Sequence, residues 1–270
     1  MDRILCHFTQ GHNVHSALGK FAPEFEDYPV KTIRKVTRDG SHFELDISDY
    51  QEWLIYYGFT NDKPEGLFEL IKPHYNILDI GANIGQTSIA FAKHINSSSK
   101  IWAFEPEPLN YKKCLTNINL NTIQNIELIQ AGLGSYEHEA YMDPQMSRNR
   151  GGSHVQETKG NGHSIRIITL DTFVRERKIK VDLVKMDVEG YEYEVLKGAR
   201  EFLSDQHPIL FIEVDEQHLK KQNSTPAMIM DYLNELHYTV YHATNHVVVT
   251  KAYDFSNCHF DVFAIHAKTT

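Results

Sequence analysis

From residue 76 onward, short apolar runs alternate with segments of helical periodicity. The apolar runs are NILDIG, IWAFE, IELIQ, DLVKMD and ILFIEV, and helix-like segments such as IGQTSIAFAKHI and LNYKKCLTNINL lie between them. This alternation predicts a mostly parallel sheet with helices on both faces. The last two apolar runs, YTVYHA and HFDVFAIHA, have no helix-length segment between them. We therefore expect them to pair antiparallel at the sheet edge.

The first 60 residues follow a different pattern. The segment KVTRDGSHFELDI alternates around Asp39-Gly40, which predicts a β-hairpin. Ser48 and Gln51 have the spacing of a capping box, which predicts a helix running through Tyr57. We interpret residues 1–60 as an N-terminal extension and residues 61–270 as one Rossmann-like α/β domain.

Composition narrows the classes of partner and location. The chain has 270 residues, 41% of them hydrophobic, which is sufficient for one large α/β domain. Its formal net charge of -9 and the absence of long Lys/Arg runs disfavour nucleic acid as a partner. The first twenty residues lack the apolar core of a signal peptide, and no stretch has the length of a membrane span. We therefore expect a cytoplasmic protein without a membrane span, and the three scattered cysteines predict reduced thiols.

The run DIGANIG places a glycine-bearing turn between a buried strand and a helix. Gly81 leaves room for a ligand beside the backbone, Asn83 tolerates a left-handed conformation, and Gly85 permits close packing where the helix begins. The N-terminus of that helix would face an anion, here the carboxylate of a methionine moiety. Asp79, two positions before Gly81, suits the ammonium group of the same ligand. An ordinary strand-to-helix turn is the alternative for this motif taken alone.

The next strand ends in an acidic residue at a characteristic place. Glu105 follows IWAF, is succeeded by Pro106, and lies 24 residues after Gly81. A carboxylate at the end of the second strand can accept both hydroxyls of an unphosphorylated ribose. Nicotinamide and flavin dinucleotides compete for such a unit, but their GxGxxG cradle is absent from this chain. These two motifs together therefore predict S-adenosylmethionine as the cofactor.

A third group of residues lies at the ends of two later strands. Asp187 and Glu189 follow DLVKM, and Glu213 ends ILFIE ahead of Asp215 and Glu216. If these strands are neighbours, their acidic side chains share one rim of the sheet. For Asp215 and Glu216, helix capping and solvated loop charge are the preferred interpretation.

The rim also supplies candidates for proton transfer. Asp187 is the first candidate base for removing a hydroxyl proton, and Glu213 is the alternative. Asp187 and Glu213 could instead hold Mg²⁺, which would lower the pKa of the hydroxyl. His154, in the polar segment from Ser147 to Ser164, is a third candidate base. That segment is predicted to be a long loop covering the acceptor.

These motifs together resemble the FkbM-type methyltransferase family over roughly residues 65 to 215. The resemblance rests on ILDIGANIGQTS, AFEPEPLNYKKCLTNINLN, IELIQAGLGS, ITLDTF and ILFIEV, and most specifically on KMDVEGYEYEVLKGA. It implies a class I methyltransferase fold, with a seven-stranded sheet whose last strand is antiparallel. It also implies transfer of a methyl group to a hydroxyl of a sugar, glycan or polyketide-like molecule. Asp79, Gly81, Asn83 and Gly85 would hold the methionine end, Glu105 the ribose and Ala131 the adenine edge.

Two alternatives belong to other functional classes. A nucleic-acid methyltransferase is disfavoured by the acidic charge and by the lack of an NPP[YF] signature. A non-catalytic subunit that binds S-adenosylmethionine would carry the same cofactor motifs. The identity of the acceptor, the oligomeric state and the role of the extension do not follow from the sequence.

Overall fold

A computed structural model of the chain describes residues 2–60, 66–142, 148, 152, 154–156, 159 and 162–269. The strands are β1 (Ile33–Arg38), β2 (Ser41–Asp46), β3 (Ile77–Ile80), β4 (Ile101–Phe104), β5 (Ile126–Ile129), β6 (Gly132–Leu133), β7 (His138–Met142), β8 (Val155–Gln156), β9 (His163–Ile168), β10 (Leu183–Met186), β11 (Ile209–Asp215), β12 (Tyr238–His242) and β13 (His259–His266). The α-helices are α1 (Asp2–Phe8), α2 (Tyr50–Tyr57), α3 (Gln86–His94), α4 (Pro108–Leu120), α5 (Leu170–Arg177), α6 (Glu192–Lys197), α7 (Arg200–Gln206), α8 (Glu216–Lys221) and α9 (Pro226–Glu235). None of the described helices is long and apolar enough to cross a membrane.

Seven strands form the central sheet, in the order β12-β13-β11-β10-β3-β4-β5. The five strands from β11 to β5 are parallel to one another, and β13 runs antiparallel to both β11 and β12. This arrangement confirms the predicted fold class, including the antiparallel last strand and the pairing of the two final strands. All four residues of β3, β4 and β10 are buried, as expected for parallel strands covered on both faces.

The direction of the chain through the sheet reverses between β3 and β10. From β3 the chain moves outward to β4 and β5, whereas from β10 it moves the other way to β11. Ligands in open α/β sheets bind at such a switch point, outside the carboxyl ends of the strands. In the register of the sheet, Ile80 pairs with Met186, so Gly81 and Asp187 leave the sheet side by side.

The N-terminal hairpin is present, but the helix after it begins differently from the prediction. β1 and β2 pair antiparallel, and their turn residues Asp39 and Gly40 both have positive φ values, as a tight hairpin turn requires. The N-cap of α2 is Asp49, whose side chain accepts from the backbone of Glu52. The predicted Ser48–Gln51 capping box is therefore wrong. The hydroxyl of Ser48 instead donates to Asp46, which competes with a capping role.

The extension covers one face of the central domain. A cluster of buried side chains joins it to α3 and α4, and includes Leu45, Ile47, Trp53, Tyr57, Phe59, Ile84, Ile89, Cys114 and Ile118. Asn117 on α4 and Asn121, the residue that caps its C-terminus, accept from the backbone of β2 at Glu44 and His42 respectively. The extension thus contributes apolar burial to the helices that flank the β3 and β4 strand ends.

A second, four-stranded sheet was not predicted. It has the order β6-β9-β7-β8 and lies beyond β5 in the chain. The predicted Ser147–Ser164 loop is wrong where the structure has strands, because Val155–Gln156 forms β8, and His163 and Ser164 belong to β9. Apart from residues 148, 152, 154, 159 and 162, the remainder of that predicted loop lies outside the described residues.

Candidate active site

Gly81 occupies the point where the ends of β3 and β10 come together. Its φ is +82°, and a Cβ atom added there would lie 1.8 Å from the carbonyl oxygen of Asp187. No L side chain fits at that distance, so the close approach of the two strand ends requires glycine. Gly85 ends the same turn, and a Cβ there would lie 2.8 Å from the sulfur of Cys114 on α4. The turn is thus held between β10 on one side and α4 on the other.

Asn83 and Glu105 are joined across the ends of β3 and β4. Asn83 has a φ of +50°, and its backbone N–H donates to Glu105 Oε2 at 2.8 Å. Glu105 Oε1 accepts from the backbone N–H of Glu107 at 2.9 Å. Burial raises the pKa of Glu105 to about 7, against the opposing effect of these two backbone hydrogen bonds. The Asn83 side chain donates to Gln51 of α2, so the extension touches this turn.

Asp79 lies beneath the turn rather than beside open space. Its side chain is fully buried, and it accepts from the hydroxyl of Ser88. The ammonium group of Lys185 lies 3.7 Å from Asp79 Oδ1. Burial raises the pKa of Asp79, and the nearby positive charge of Lys185 opposes that effect. Asp79, which we predicted to face a ligand ammonium group, therefore has a lysine of its own chain as its charged neighbour.

Lys185 connects the ends of β3 and β10 electrostatically. Its Nζ donates to the Gly81 carbonyl at 3.1 Å and to Asp187 Oδ2 at 3.2 Å. Burial alone would lower the pKa of Lys185, but the charges of Asp187 and Asp79 outweigh it and raise the pKa above its ordinary value. The lysine is therefore a cation that fixes the Asp187 carboxylate at the switch point.

Two clefts open at this end of the sheet. We call the first the narrow cleft; it has a volume of about 660 Å³ including its open mouth, and its walls include Phe104, Glu105, Pro106, Ala131 and Tyr191. The second, the wide cleft, has a volume of about 2860 Å³ including its open mouth. Its walls include Lys185, Glu213, His218, His259 and Phe260.

The two clefts share one boundary. Gln51, Gly81, Asn83, Asp187 and Glu189 line both of them. A molecule in the narrow cleft and a molecule in the wide cleft can therefore meet beside Asp187. Such an arrangement suits transfer of a group between two bound molecules.

Acidic side chains surround Glu213 on the wide-cleft side. The negative charge of Asp187 is the main cause that raises the pKa of Glu213, followed by burial and by Glu189. A carboxyl group with a raised pKa keeps its own proton to higher pH. Glu213 is therefore less available to accept a proton from a hydroxyl than its position suggests. Glu189 lies nearby with a φ of +55°, and its Oε2 is 2.7 Å from Nδ1 of His218.

The remaining predicted residues are placed as follows. Asp215 caps α8 by accepting from the backbone of Gln217 and His218, so the capping interpretation is confirmed for Asp215. Glu216 is the first residue of α8 and forms an ion pair with Lys220, so it is a helix residue and not a loop charge. His154 precedes Val155, which lines the narrow cleft, but His154 is not among the described residues lining either cleft.

Sequence reasoning missed Lys185, Gln51 and His218. A lysine inside an otherwise apolar buried strand was the available signal for Lys185. Gln51 and His218 gave no local signal, because their relevance depends on how α2 and α8 pack against the sheet ends.

The sheet order and the two joined clefts define a class I methyltransferase fold. Residues 79–240 match the methyltransferase FkbM domain. The chain belongs to the FkbM methyltransferase family, which confirms the resemblance found in its sequence.

Two curated relatives and one solved structure illustrate the similarity. Hexuronic acid methyltransferase AglP of Haloferax volcanii is 32% identical over 44% of this chain and 48% of its own length. The 2-O-methyltransferase NoeI of Sinorhizobium fredii is 24% identical over 61% of this chain and 73% of its own length. In two further relatives, both named methyltransferases, the matched stretch spans 59% and 60% of the relative. The crystal structure of an FkbM methyltransferase from Methylobacillus flagellatus superposes with a TM-score of 0.46, at 19% identity, over 72% of this chain and 44% of that one.

Proposed function

We propose that the protein is an S-adenosylmethionine-dependent O-methyltransferase whose acceptor is a hydroxyl of a sugar, glycan or polyketide-like small molecule. The observation that carries this proposal is the shared boundary of the two clefts beside Asp187. The family membership supports the methyl transfer, and the geometry supports a donor in the narrow cleft and an acceptor in the wide one.

The residues that line the narrow cleft suit S-adenosylmethionine, because they combine polar groups with apolar walls. The buried carboxyl group of Glu105 would accept the ribose hydroxyls at the end of β4, next to Pro106. Ala131 would border the adenine, and the apolar walls beside it suit a planar ring. Gly81, Asn83 and the start of α3 after Gly85 would bind the methionine end. Asp79 would act beneath them, by holding Lys185 and Ser88 in place.

The chemistry requires little more than positioning and proton removal. The sulfonium of the bound donor supplies an activated methyl group with a neutral leaving group. Asp187, fixed by Lys185 at the boundary of the clefts, would accept the hydroxyl proton of the acceptor. Glu213 and His154 stay as the alternative bases; the raised pKa of Glu213 and the position of His154 make both less favourable.

The wide cleft suits a polar ring-shaped acceptor better than a phosphate backbone. Its walls combine hydrogen-bonding groups such as His218 and His259 with aromatic surface from Tyr50 and Phe260. The protein's net charge of -9 opposes nucleic acid. Two relatives are named for hexuronic acid and 2-O methylation, which favours a carbohydrate hydroxyl.

The test is to incubate the purified protein with methyl-labelled donor and separate glycan, lipid and small-molecule fractions of its source. We expect label in a hydroxyl of a glycan or small molecule, and far slower labelling when Asp187→Asn protein is used. Calorimetry with S-adenosylhomocysteine, the demethylated product, checks donor binding separately. Binding without any transfer would favour a non-catalytic subunit, and label in nucleic acid would contradict the proposed acceptor.

A further inference from the structure

Three potential metal ligands converge on the wide-cleft side of the switch point. They are Glu189 in the turn after β10, Glu213 in β11 and His218 in α8, and each can offer one ligand atom within 4.8 Å of the other two. The three come from separate structural elements, so the group is not the local product of one acidic turn. It is also not a purely acidic cluster, because an imidazole is among the donors.

Two atoms of this group are in direct contact. Glu189 Oε2 and His218 Nδ1 are both buried and lie 2.7 Å apart, which is the distance of an ion pair. Neither atom has another hydrogen-bond partner among the described residues, so both are available to an ion that takes the place of their mutual contact. Adjacent ligands of one ion, each bonded at about 2.1 Å, are held about 3 Å apart and point to the ion instead of to each other.

The local charge also favours a cation. Glu213 is surrounded by the carboxylates of Asp187, Glu189, Glu192 and Asp261. Lys185 compensates the group only in part, because it already pairs with Asp79 and Asp187. A divalent cation at the three donors would offset part of the remaining negative charge.

We propose that Glu189, Glu213 and His218 bind a first-row divalent cation, of the class of Mn²⁺, Co²⁺ or Zn²⁺. An imidazole with two carboxylates suits these ions, whereas Mg²⁺ prefers oxygen ligands in a near-ideal octahedron. The site differs from the Asp187–Glu213 magnesium pair expected from the sequence. Asp187 is outside the three-residue group, and its Oδ2 is already paired with Lys185.

The position of the ion gives it a role in the proposed reaction. Glu189 lines both clefts and Glu213 lines the wide one, so the cation lies where an acceptor hydroxyl would approach Asp187. A cation there would bind the hydroxyl oxygen, orient it towards the donor and lower its pKa. This role rests on the proposed function, whereas binding of the ion itself does not.

Metal binding is tested directly, on full-length protein dialysed against a chelator. We expect Co²⁺ to saturate the wild-type protein at one equivalent, followed by calorimetry and by visible ligand-field absorption. Glu189→Gln and His218→Asn should each weaken Co²⁺ binding by 10-fold or more. His242→Ala is the matched control, since His242 lines the same cleft outside the three-residue group, and its Co²⁺ affinity should not change.

Competition between metal ions tests the proposed ion class, and measurements on folded variants test the proposed ligands. Mn²⁺ or Zn²⁺ should displace Co²⁺ at lower concentration than Mg²⁺, and equal displacement by Mg²⁺ would overturn the proposed ion class. Far-UV circular dichroism and a cooperative thermal unfolding transition like that of the wild type would show that both variants are folded, independently of the donor cleft that Glu189 lines. Two results would overturn the site and leave the proposed function standing. The first is a Co²⁺ affinity equal to wild type in folded Glu189→Gln and His218→Asn. The second is the absence of Co²⁺ binding by wild-type protein that does bind S-adenosylhomocysteine.

Discussion

The carboxyl group of Glu105 is buried, and its two oxygens accept from the backbone at Asn83 and Glu107. Burial dominates and raises its pKa to about 7. In the proposed ribose-binding role, a carboxylate with that pKa would be partly protonated near neutral pH. The affinity for the donor should therefore depend on pH in a range where ordinary glutamates do not titrate.

We expect the affinity for S-adenosylhomocysteine to rise between about pH 6 and pH 8, as Glu105 loses its proton and can accept both ribose hydroxyls. Glu105→Gln should weaken binding at pH 8 by ~1 to 3 kcal/mol and remove most of the pH dependence. Glu127→Gln is the control, because Glu127 lies on the adjacent strand β5 in an exposed ion pair with Arg177. Calorimetry across this pH range is the measurement. An unchanged pH profile in Glu105→Gln would show that another group titrates.

Asp187→Asn keeps the shape of the side chain and removes the proposed base. The turnover rate should fall by roughly 10² to 10⁴, while the dissociation constant of S-adenosylhomocysteine changes little, because Lys185 retains Asp79 as a partner. Single-turnover transfer and calorimetry provide the two measurements. Full activity in this variant would move the proton transfer to Glu213 or His154.

The sequence indicated which residue types would meet at the rim, but not how they pair. Asp187 and Glu213 were predictable, because residues at the carboxyl ends of neighbouring parallel strands share an edge. The partner of Asp79 was not, because a lysine in the middle of β10 reaches it only through the register of β3 and β10. His218 was also out of reach, since its distance to Glu189 depends on the packing of α8.

At the scale of elements, the junction of β3 and β10 requires a residue without a side chain at position 81. Gly81→Ala would place a methyl group against the Asp187 carbonyl, so we expect a loss of several kcal/mol of unfolding free energy, or failure to fold. Gly11→Ala is a matched control, because Gly11 has a similar φ of +80° but no atom within 4 Å of the added Cβ. It should cost only about 1 to 2 kcal/mol. Equal losses in chemical denaturation would show that φ alone matters at Gly81.

The elements that were predictable are those with one dominant physical signal. Parallel strands buried on both faces read as continuous apolar runs, and the central sheet was found from them. The second sheet was missed because β9 has exposed residues His163, Ser164 and Arg166 among its buried ones, and β6 and β8 have only two residues each. The start of α2 was misassigned because Ser48 and Asp49 are both good caps, and tertiary contacts decide between them.

At the scale of the whole molecule, the extension and the central domain share a core. Deleting residues 2–60 would expose the apolar surface of α3 and α4 that packs against Leu45, Trp53 and Tyr57. We expect the shortened chain to aggregate and to lose affinity for S-adenosylhomocysteine, because Gln51 would no longer contact Asn83. Sedimentation velocity and calorimetry would measure these effects against the full-length chain. A monomeric shortened chain with normal affinity would show that the extension is dispensable.

The placement of β13 between β11 and β12 has a consequence for synthesis on the ribosome. β11 and β12 cannot be bridged until His259–His266 has left the exit tunnel, although both strands emerge earlier. During that interval β11 has an open hydrogen-bonding edge, and such edges recruit strands from other chains. The nascent protein therefore depends on a late insertion of its last strand into the interior of its sheet.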